Sequence, residues 1–341
     1  MIDCPNPMNI AEIARRANVS TATVSRTLNQ SGPVKAATAR KVWRAVTELN
    51  YYPNSHARAL VSGRSRLIGL IVSDISNPFF PELIEAFQSL AAEKQYDILL
   101  TSTDYLTERM TECLRRMLER KVDGVAMMTS EMDLSLIKEL GKRNVPIVFM
   151  DVGQMGPRMS HVAIDYGNGV RQAVDHLVGL GHRHIAFITG PLDLHSARTR
   201  RQAFLDGLRH HGLTPERKMI REGMHTAEGG EQAMAALLRL AKPPTAVVCS
   251  NDWTAIGALH ATHAAGRRVP EDLSIVGFDD IPLTRYTHPP LTTVRMTASD
   301  VGSTAFTALF RLISQEAVEG DVYQIPTRLV IRSSTARPRR K

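Results

Sequence analysis

From Leu67 onward the chain repeats one pattern: a short apolar run, a turn, then a longer stretch with apolar residues at helical spacing. Leu67-Ile68-Gly69-Leu70-Ile71-Val72 is the first such run. It lacks the apolar–polar alternation of a half-exposed strand, so both of its faces must be covered, as in a parallel sheet. Further strands are expected at 97–101, 124–128, 146–150, 185–189, 219–221, 246–249 and 274–278. Helices are expected at 79–94, 108–120, 134–143, 167–179, 196–211, 228–240 and 253–265. Parallel strands need crossovers, and helices supply them on both faces of the sheet. The rhythm restarts after Asp165, which implies two doubly wound α/β lobes with a ligand cleft at the carboxyl ends of their strands.

Ahead of this repeat, residues 10–29 read as two short helices around a tight turn. Ile10, Ile13, Ala14 and Ala17 fall on one helical face. Asn18 stands where the chain must reverse, in a left-handed backbone that asparagine tolerates. Ser20 suits the N-cap of the second helix. In that helix Val24 and Leu28 point inward, and Thr21, Ala22, Ser25, Arg26 and Asn29 are left outside beside Thr23. Such a face suits the major groove, where an arginine can hydrogen-bond a guanine edge at two points. Taken alone, it also suits an ordinary helical hairpin with a solvated polar side. A third helix, 36–49, carries Val42, Val46 and Leu49 on one side and Arg40, Lys41 and Arg44 elsewhere.

The charge distribution separates the two regions. The net charge is +8 over 341 residues, and residues 1–66 hold ten basic side chains against three acidic ones, leaving only +1 for the remainder. A positive field confined to one segment is what a phosphate-binding module requires. Cys4, Cys113 and Cys249 offer neither a disulfide framework nor metal-ligand spacing, which fits a reducing cytoplasm. No signal peptide is expected, because residues 1–18 include Pro5, Pro7 and Glu12 and no sufficient apolar run. No stretch approaches the ~20 apolar residues of a membrane span.

Residues 51–60 then decide between the readings. Val19-Ser20, Thr23-Val24-Ser25-Arg26, Leu49-Asn50-Tyr51, Pro53-Asn54, Ala57-Arg58 and Leu60 together resemble the DNA-binding headpiece and hinge of the LacI/GalR family of bacterial transcription regulators. The two-lobed pattern is similar to that family's periplasmic-binding-protein-like core. The resemblance implies an all-α helix-turn-helix headpiece at 1–50 and a hinge helix and linker at 51–66. An effector-binding and dimerisation core then spans 67–341, with a first lobe near 67–163 plus 292–325 and a second near 164–291 plus 326–335. Residues 55–61 are too few to hold a helix alone in water. In the family the hinge folds on operator DNA, so Asn54, Ala57, Arg58 and Leu60 would enter the minor groove. There Leu60 would wedge into the central base step and kink the duplex.

The resemblance also implies effector contacts. Asp74, Asn77, Phe79 and Phe80 lie in a matching motif after the first strand, and Asp151 follows the fourth. Arg200 matches the effector-binding arginine, whose planar fork suits paired hydroxyls or a carboxylate. Asn251 and Asp279 match hydroxyl-binding positions. His225 stands where family members often place an aromatic, which points to a more polar effector. With aromatics at only 5% of the chain, a polyhydroxylated sugar or sugar acid is expected over a flat purine. The expected protein is a cytoplasmic homodimeric repressor that reads a near-palindromic operator in double-stranded DNA. The alternatives are a regulator answering to a corepressor or partner protein, and a sugar-binding transport protein. The last would call for an export signal and no basic headpiece. No catalytic residue, metal site or cofactor is expected, because nucleophile elbow, metal-ligand spacing and phosphate loop are all missing from the sequence.

Overall fold

A computed structural model of the protein describes residues 10–29, 32–51, 63–129, 141–151, 156–317 and 319–339. The hinge residues Asn54, Ala57, Arg58 and Leu60, and most of the helix expected at 134–143, lie outside these. The chain divides into two units, Met1–Arg66 and Leu67–Lys341.

The first unit contains α1 (Ile10–Ala17), α2 (Thr21–Asn29) and α3 (Ala36–Glu48). Asn18 takes φ of 53°, as the reversal demands. The Ser20 hydroxyl accepts the Thr23 N–H at 3.2 Å and so caps α2. Ile13, Ala14, Ala17, Val24, Val42, Ala45 and Val46 form the core, with Ile10, Leu28 and Leu49 packed at its margin. Thr27 is buried as well, because its hydroxyl turns back to the Thr23 carbonyl at 2.8 Å.

The second unit contains two six-stranded sheets. The first holds β1 (Leu67–Val72), β2 (Asp97–Ser102), β3 (Gly124–Met128), β4 (Ile147–Met150), β5 (Met159–Ile164) and β11 (Val322–Ile325) in the order β11-β5-β4-β3-β1-β2, all parallel. The second holds β6 (Ile185–Thr189), β7 (Ile220–Glu222), β8 (Ala246–Cys249), β9 (Ser274–Asp279), β10 (Thr292–Arg295) and β12 (Arg328–Val330) in the order β12-β10-β9-β8-β6-β7. Only β12 runs antiparallel to its neighbour. The described helices are α4 (Phe79–Glu93), α5 (Thr107–Glu119), α6 (Tyr166–Gly179), α7 (His195–His210), α8 (Ala227–Leu238), α9 (Asp252–Ala264) and α10 (Ala298–Ile313). The doubly wound, two-lobed architecture is therefore the observed one, with the first lobe discontinuous in sequence.

One expected boundary is corrected. The sequence pattern places residues 292–295 in the first lobe, but β10 pairs with β9 in the second, Val294 opposite Phe278. The physical anchor is Asp280, which accepts hydrogen bonds from Arg295 and Arg332 and so ties the end of β10 to its own lobe. The crossover to the first lobe falls between Arg295 and α10. Strands β5 and β11 escaped the sequence reading; Ser160 and His161 interrupt the apolar run that would have marked β5.

Capping places the helices that face the cleft. Asp165 accepts from Asn168 N–H at 3.0 Å, Thr226 from Gly229 N–H at 3.0 Å and Asn251 from Thr254 N–H at 2.9 Å. Helices α8 and α9 then touch backbone to backbone. A Cβ on Gly257 would stand 1.8 Å from the Ala227 carbonyl oxygen, which no side-chain shift could relieve. Gly257→Ala is expected to destabilise the core by about 2–3 kcal/mol through forced separation of the helices. Urea unfolding should show a lower midpoint at unchanged slope; an unaltered midpoint would mean the two helices separate freely.

Candidate functional site

The outer face of α2 is open. Thr21, Ala22 and Arg26 are exposed, while Thr23, Ser25 and Asn29 are half-buried. Asn29 donates to the Ser25 hydroxyl at 3.2 Å, which fixes both side chains on the same strip. The basic residues of this unit divide by partner. Arg15 pairs with Glu12, Arg16 with Glu48 at 2.8 Å, and Arg44 lies 3.8 Å from Glu48. Arg26, Lys35, Arg40 and Lys41 make no ion pair among the described residues. Arg26 is thus a charged fork on a small polar helical face, with its donors available.

The second site is a cleft between the lobes. Every wall comes from the carboxyl end of a strand or the helix that follows. The first lobe supplies Ser73, Asn77, Phe79 and Phe80 after β1, Tyr105 after β2 and Met150 at the end of β4. The second supplies Leu194, Ser196 and Arg200 after β6, His225 after β7, Asn251 after β8 and Asp279 at the end of β9. Tyr166 and Met296 stand where the chain crosses between lobes. Tyr105, His225 and Asp279 take φ of 59°, 59° and 110°, and Asp151 beside the cleft takes 65°. Non-glycine residues rarely adopt this region, and such strain gathers where side chains must be aimed.

Arg200 is the centre of the cleft and is 5% exposed. Its guanidinium carbon lies 4.1 Å from the Tyr166 ring centre and 4.6 Å from that of Phe278. The ring centres are 5.9 Å apart, too close to lie on opposite faces, so they form two adjoining walls. Tyr166 is held there by donating its hydroxyl to Asp151. The nearest acid to Arg200 is Asp279, at 3.9 Å, beyond hydrogen-bonding reach. Burial pushes the Asp279 carboxyl up to about 7, with Arg200 pulling the other way. Asp252 lies behind it and is also raised, by burial first and then by Asp279. Asp252 is fully engaged, accepting from Thr293 at 2.6 Å and from Ile281 N–H at 2.9 Å. Burial, with Arg200 nearby, lowers His225 to about 3, so its ring is neutral. Its Nδ1 lies 3.2 Å from the Ser250 hydroxyl and its ring 5.8 Å from that of Tyr105 across the cleft.

Comparison with known proteins joins the two sites. Residues 9–54 match the model of bacterial regulatory proteins of the lacI family, and residues 174–335 match that of the periplasmic binding protein-like domain. Catabolite control protein A of Priestia megaterium is 33% identical over 329 residues, 96% of this chain and 99% of that protein. The chain belongs to the lacI family of bacterial regulatory proteins. The ribose operon repressor of Halalkalibacterium halodurans is 36% identical over 96% of each chain, and the transcriptional repressor PurR of Aliivibrio fischeri is 35% identical over 96% of this chain and 98% of its own. A crystal structure of the lac repressor dimer bound to operator and the anti-inducer ONPF superposes with a TM-score of 0.87 at 32% identity, covering 97% of this chain and all of that one. A CelR–cellobiose complex gives 0.71 at 30% identity, covering 96% and 99%. The protein is a DNA-binding transcriptional regulator. Among the described residues no helix is long and apolar enough to cross a membrane, and no cluster of three metal-ligating side chains occurs.

Of the nine effector residues expected in this lacI-family chain, the cleft brings together Asn77, Phe79, Phe80, Arg200, His225, Asn251 and Asp279. Asp74 and Asp151 are not among its walls. Asp74 accepts from the backbone N–H and hydroxyl of Ser76, at 2.8 and 2.7 Å, and shapes the turn after β1. Asp151 acts on Tyr166 instead of facing the cleft. Tyr105, Tyr166, Leu194 and Ser196 were missed. A signal for His225 lay in Gly190: a Cβ there would stand 2.1 Å from the imidazole Nε2, so only glycine admits the ring. Although aromatics are few in the chain, Phe79, Phe80, Tyr105 and Tyr166 converge on this cleft.

The Asp279 shift has a testable sign. An aspartate in the unfolded chain titrates near 3.9, while folded Asp279 titrates at about 7. Between those values the folded state holds a proton that the unfolded state lacks. The contribution is present below pH ~4 and is lost as pH rises to ~7. Asp279→Asn should therefore gain thermal stability over wild type increasingly from pH 4 to 7 and level off above, by about 2–4 kcal/mol at most. A stability difference that is flat across this range would show that Asp279 is ionised throughout.

Proposed function

We propose that the protein is a repressor that binds a near-palindromic operator as a homodimer and is controlled by a small polar effector in the interlobe cleft. The observation that carries this reading is the presence, in one chain, of an uncommitted Arg26 on a helical reading face and an uncommitted buried Arg200 in a cleft. Arg26 reads a base edge, flanked by Thr21, Ala22, Thr23, Ser25 and Asn29. Lys35 and Arg40 hold phosphates and fix the register. Asn54, Ala57, Arg58 and Leu60 form the minor-groove contact of the hinge, with Leu60 as the wedge. The relatives crystallised with cellobiose or ribose support a sugar-like effector. The wall residues of both lobes supply differential contacts when the cleft changes width. Binding at either site then alters the other by the same factor.

Selection of duplexes from a random pool by the full-length protein should return an inverted repeat, the mirror of a two-fold dimer. Arg26→Ala should weaken operator binding by about 1–3 kcal/mol and relax preference at one position in each half-site. Preference left unchanged at every position would remove Arg26 from base reading.

A further inference from the structure

The effector residues expected from sequence differ in how far the fold already employs them. Asn251 accepts Thr254 N–H at 2.9 Å and donates to the His225 carbonyl at 3.2 Å. Asn77 accepts Phe79 N–H at 3.1 Å. Asp74 is taken by Ser76, Asp151 by Tyr166, and the neutral His225 leans on Ser250. These side chains would be the natural partners of a neutral polyol, yet each has an internal partner. Two groups do not. Asp279 stands 3.9 Å from its nearest cation. Arg200 is buried to 5% exposure, and its Nε has no hydrogen-bond partner.

A guanidinium carries five N–H donors in one plane. Here two sides of it face aromatic rings, which attract the charge but accept no in-plane hydrogen bond. A buried ionic donor without an acceptor is costly. A sugar would answer this donor set with hydroxyl oxygens, which accept but bring no charge to offset the guanidinium. A carboxylate answers it with charge and two parallel acceptors. The other walls fit the remainder of such a ligand: Phe79, Phe80 and Tyr105 offer faces for a carbon chain or ring.

We propose that the effector of this cleft is a monocarboxylate, a sugar acid, whose carboxylate seats on the hydrogen-bonding edge of Arg200. This rests on the effector-cleft reading above and narrows it to one charge class. The proposal has a consequence at Asp279. The charged or titratable groups facing that carboxyl are Arg200 from α7, Tyr166 from α6, Asp252 from α9 and, behind it, Asp280; burial raises both the Tyr166 hydroxyl and the Asp252 carboxyl. A ligand carboxylate spends the Arg200 charge and adds a second negative group beside Asp279. Asp279 then takes one proton from solvent and donates it as a hydrogen bond to the ligand. Anion binding is therefore proton-linked and weakens as pH rises through 7. A neutral sugar would show the opposite sign, because ionised Asp279 is the better acceptor for its hydroxyls.

The test is calorimetric titration of the full-length protein with matched pairs: ribose and ribonate, xylose and xylonate, glucose and gluconate, galactose and galactonate, with glucuronate and galacturonate added. The expected result is binding of at least one acid, with its neutral partner at least tenfold weaker. Affinity for that acid should fall about tenfold from pH 6 to pH 8 by proton linkage, and heats in two buffers of different ionisation enthalpy should report uptake approaching one proton at pH 8 and little at pH 6. Asp279→Asn should keep acid binding and lose its pH dependence, whereas Arg200→Gln should lose the acid. The wild-type comparison decides the matter even where a variant fails to fold. A neutral sugar that binds as tightly as its acid, or more tightly at pH 8, overturns the proposal and leaves the effector cleft standing. If neither series binds, the cleft reading falls and the proposal falls with it.

Discussion

The chain crosses between its lobes three times, and the lateral bonding of those crossings is the constraint on which the cleft depends. Thr327 donates its hydroxyl to the Asp165 carbonyl at 2.6 Å, and Asn168 and Gln172 donate to the Thr327 carbonyl at 3.2 and 3.3 Å. Leu329 N–H returns to Gln172 at 3.0 Å. Gly169 lets the third crossing pack close, since a Cβ there would stand 2.5 Å from Val294. These bonds hold two of the crossings side by side beneath the strand ends that line the cleft. Tyr166 opens α6 directly at these crossings, so the wall that flanks Arg200 is anchored to them.

Within the cleft the fold gives up stability for a poised charge pair. Arg200 and Asp279 are both buried but do not form a direct hydrogen bond. Closing that pair would satisfy both groups and remove the reason for a ligand to enter. Separation is maintained by rigid neighbours: Tyr166 is tied to Asp151, and Asp252 behind Asp279 is locked by Thr293 and Ile281. The left-handed backbone at His225 and Asp279 is further conformational cost at the same place. Each of these arrangements is expensive alone and useful only together, which is the usual economy of a binding site.

The architecture was legible because its signals are local. Apolar runs mark doubly covered strands, Ser20 and Asn18 mark the headpiece turn, and the β–α rhythm fixes parallel pairing. Sheet membership is a non-local property, and that is where the reading of 292–295 failed; the deciding contact, Asp280 with Arg295 and Arg332, spans up to 52 residues of sequence. Strand ends pointed to Arg200, Asn251 and Asp279, which line the cleft. They do not distinguish a carboxylate that faces the cleft from one that shapes a neighbouring turn, because Asp74 and Asp279 both lie at strand ends. Tyr166 was invisible because it begins a helix with no polar motif to single it out.

The ion pairs of the headpiece bear on how this regulator meets its operator in a cell. Seven basic side chains lie on residues 10–51, and three of them, Arg15, Arg16 and Arg44, already face Glu12 or Glu48. Exposed pairs of this kind are weak, on the order of 0–1 kcal/mol, but a phosphate must still displace a carboxylate to recruit them. The ions released from DNA on binding are set by the phosphates neutralised and not by the formal charge of the domain. Osmotic or ionic swings should therefore disturb operator occupancy less than a strongly basic headpiece suggests, leaving more of the control to the effector.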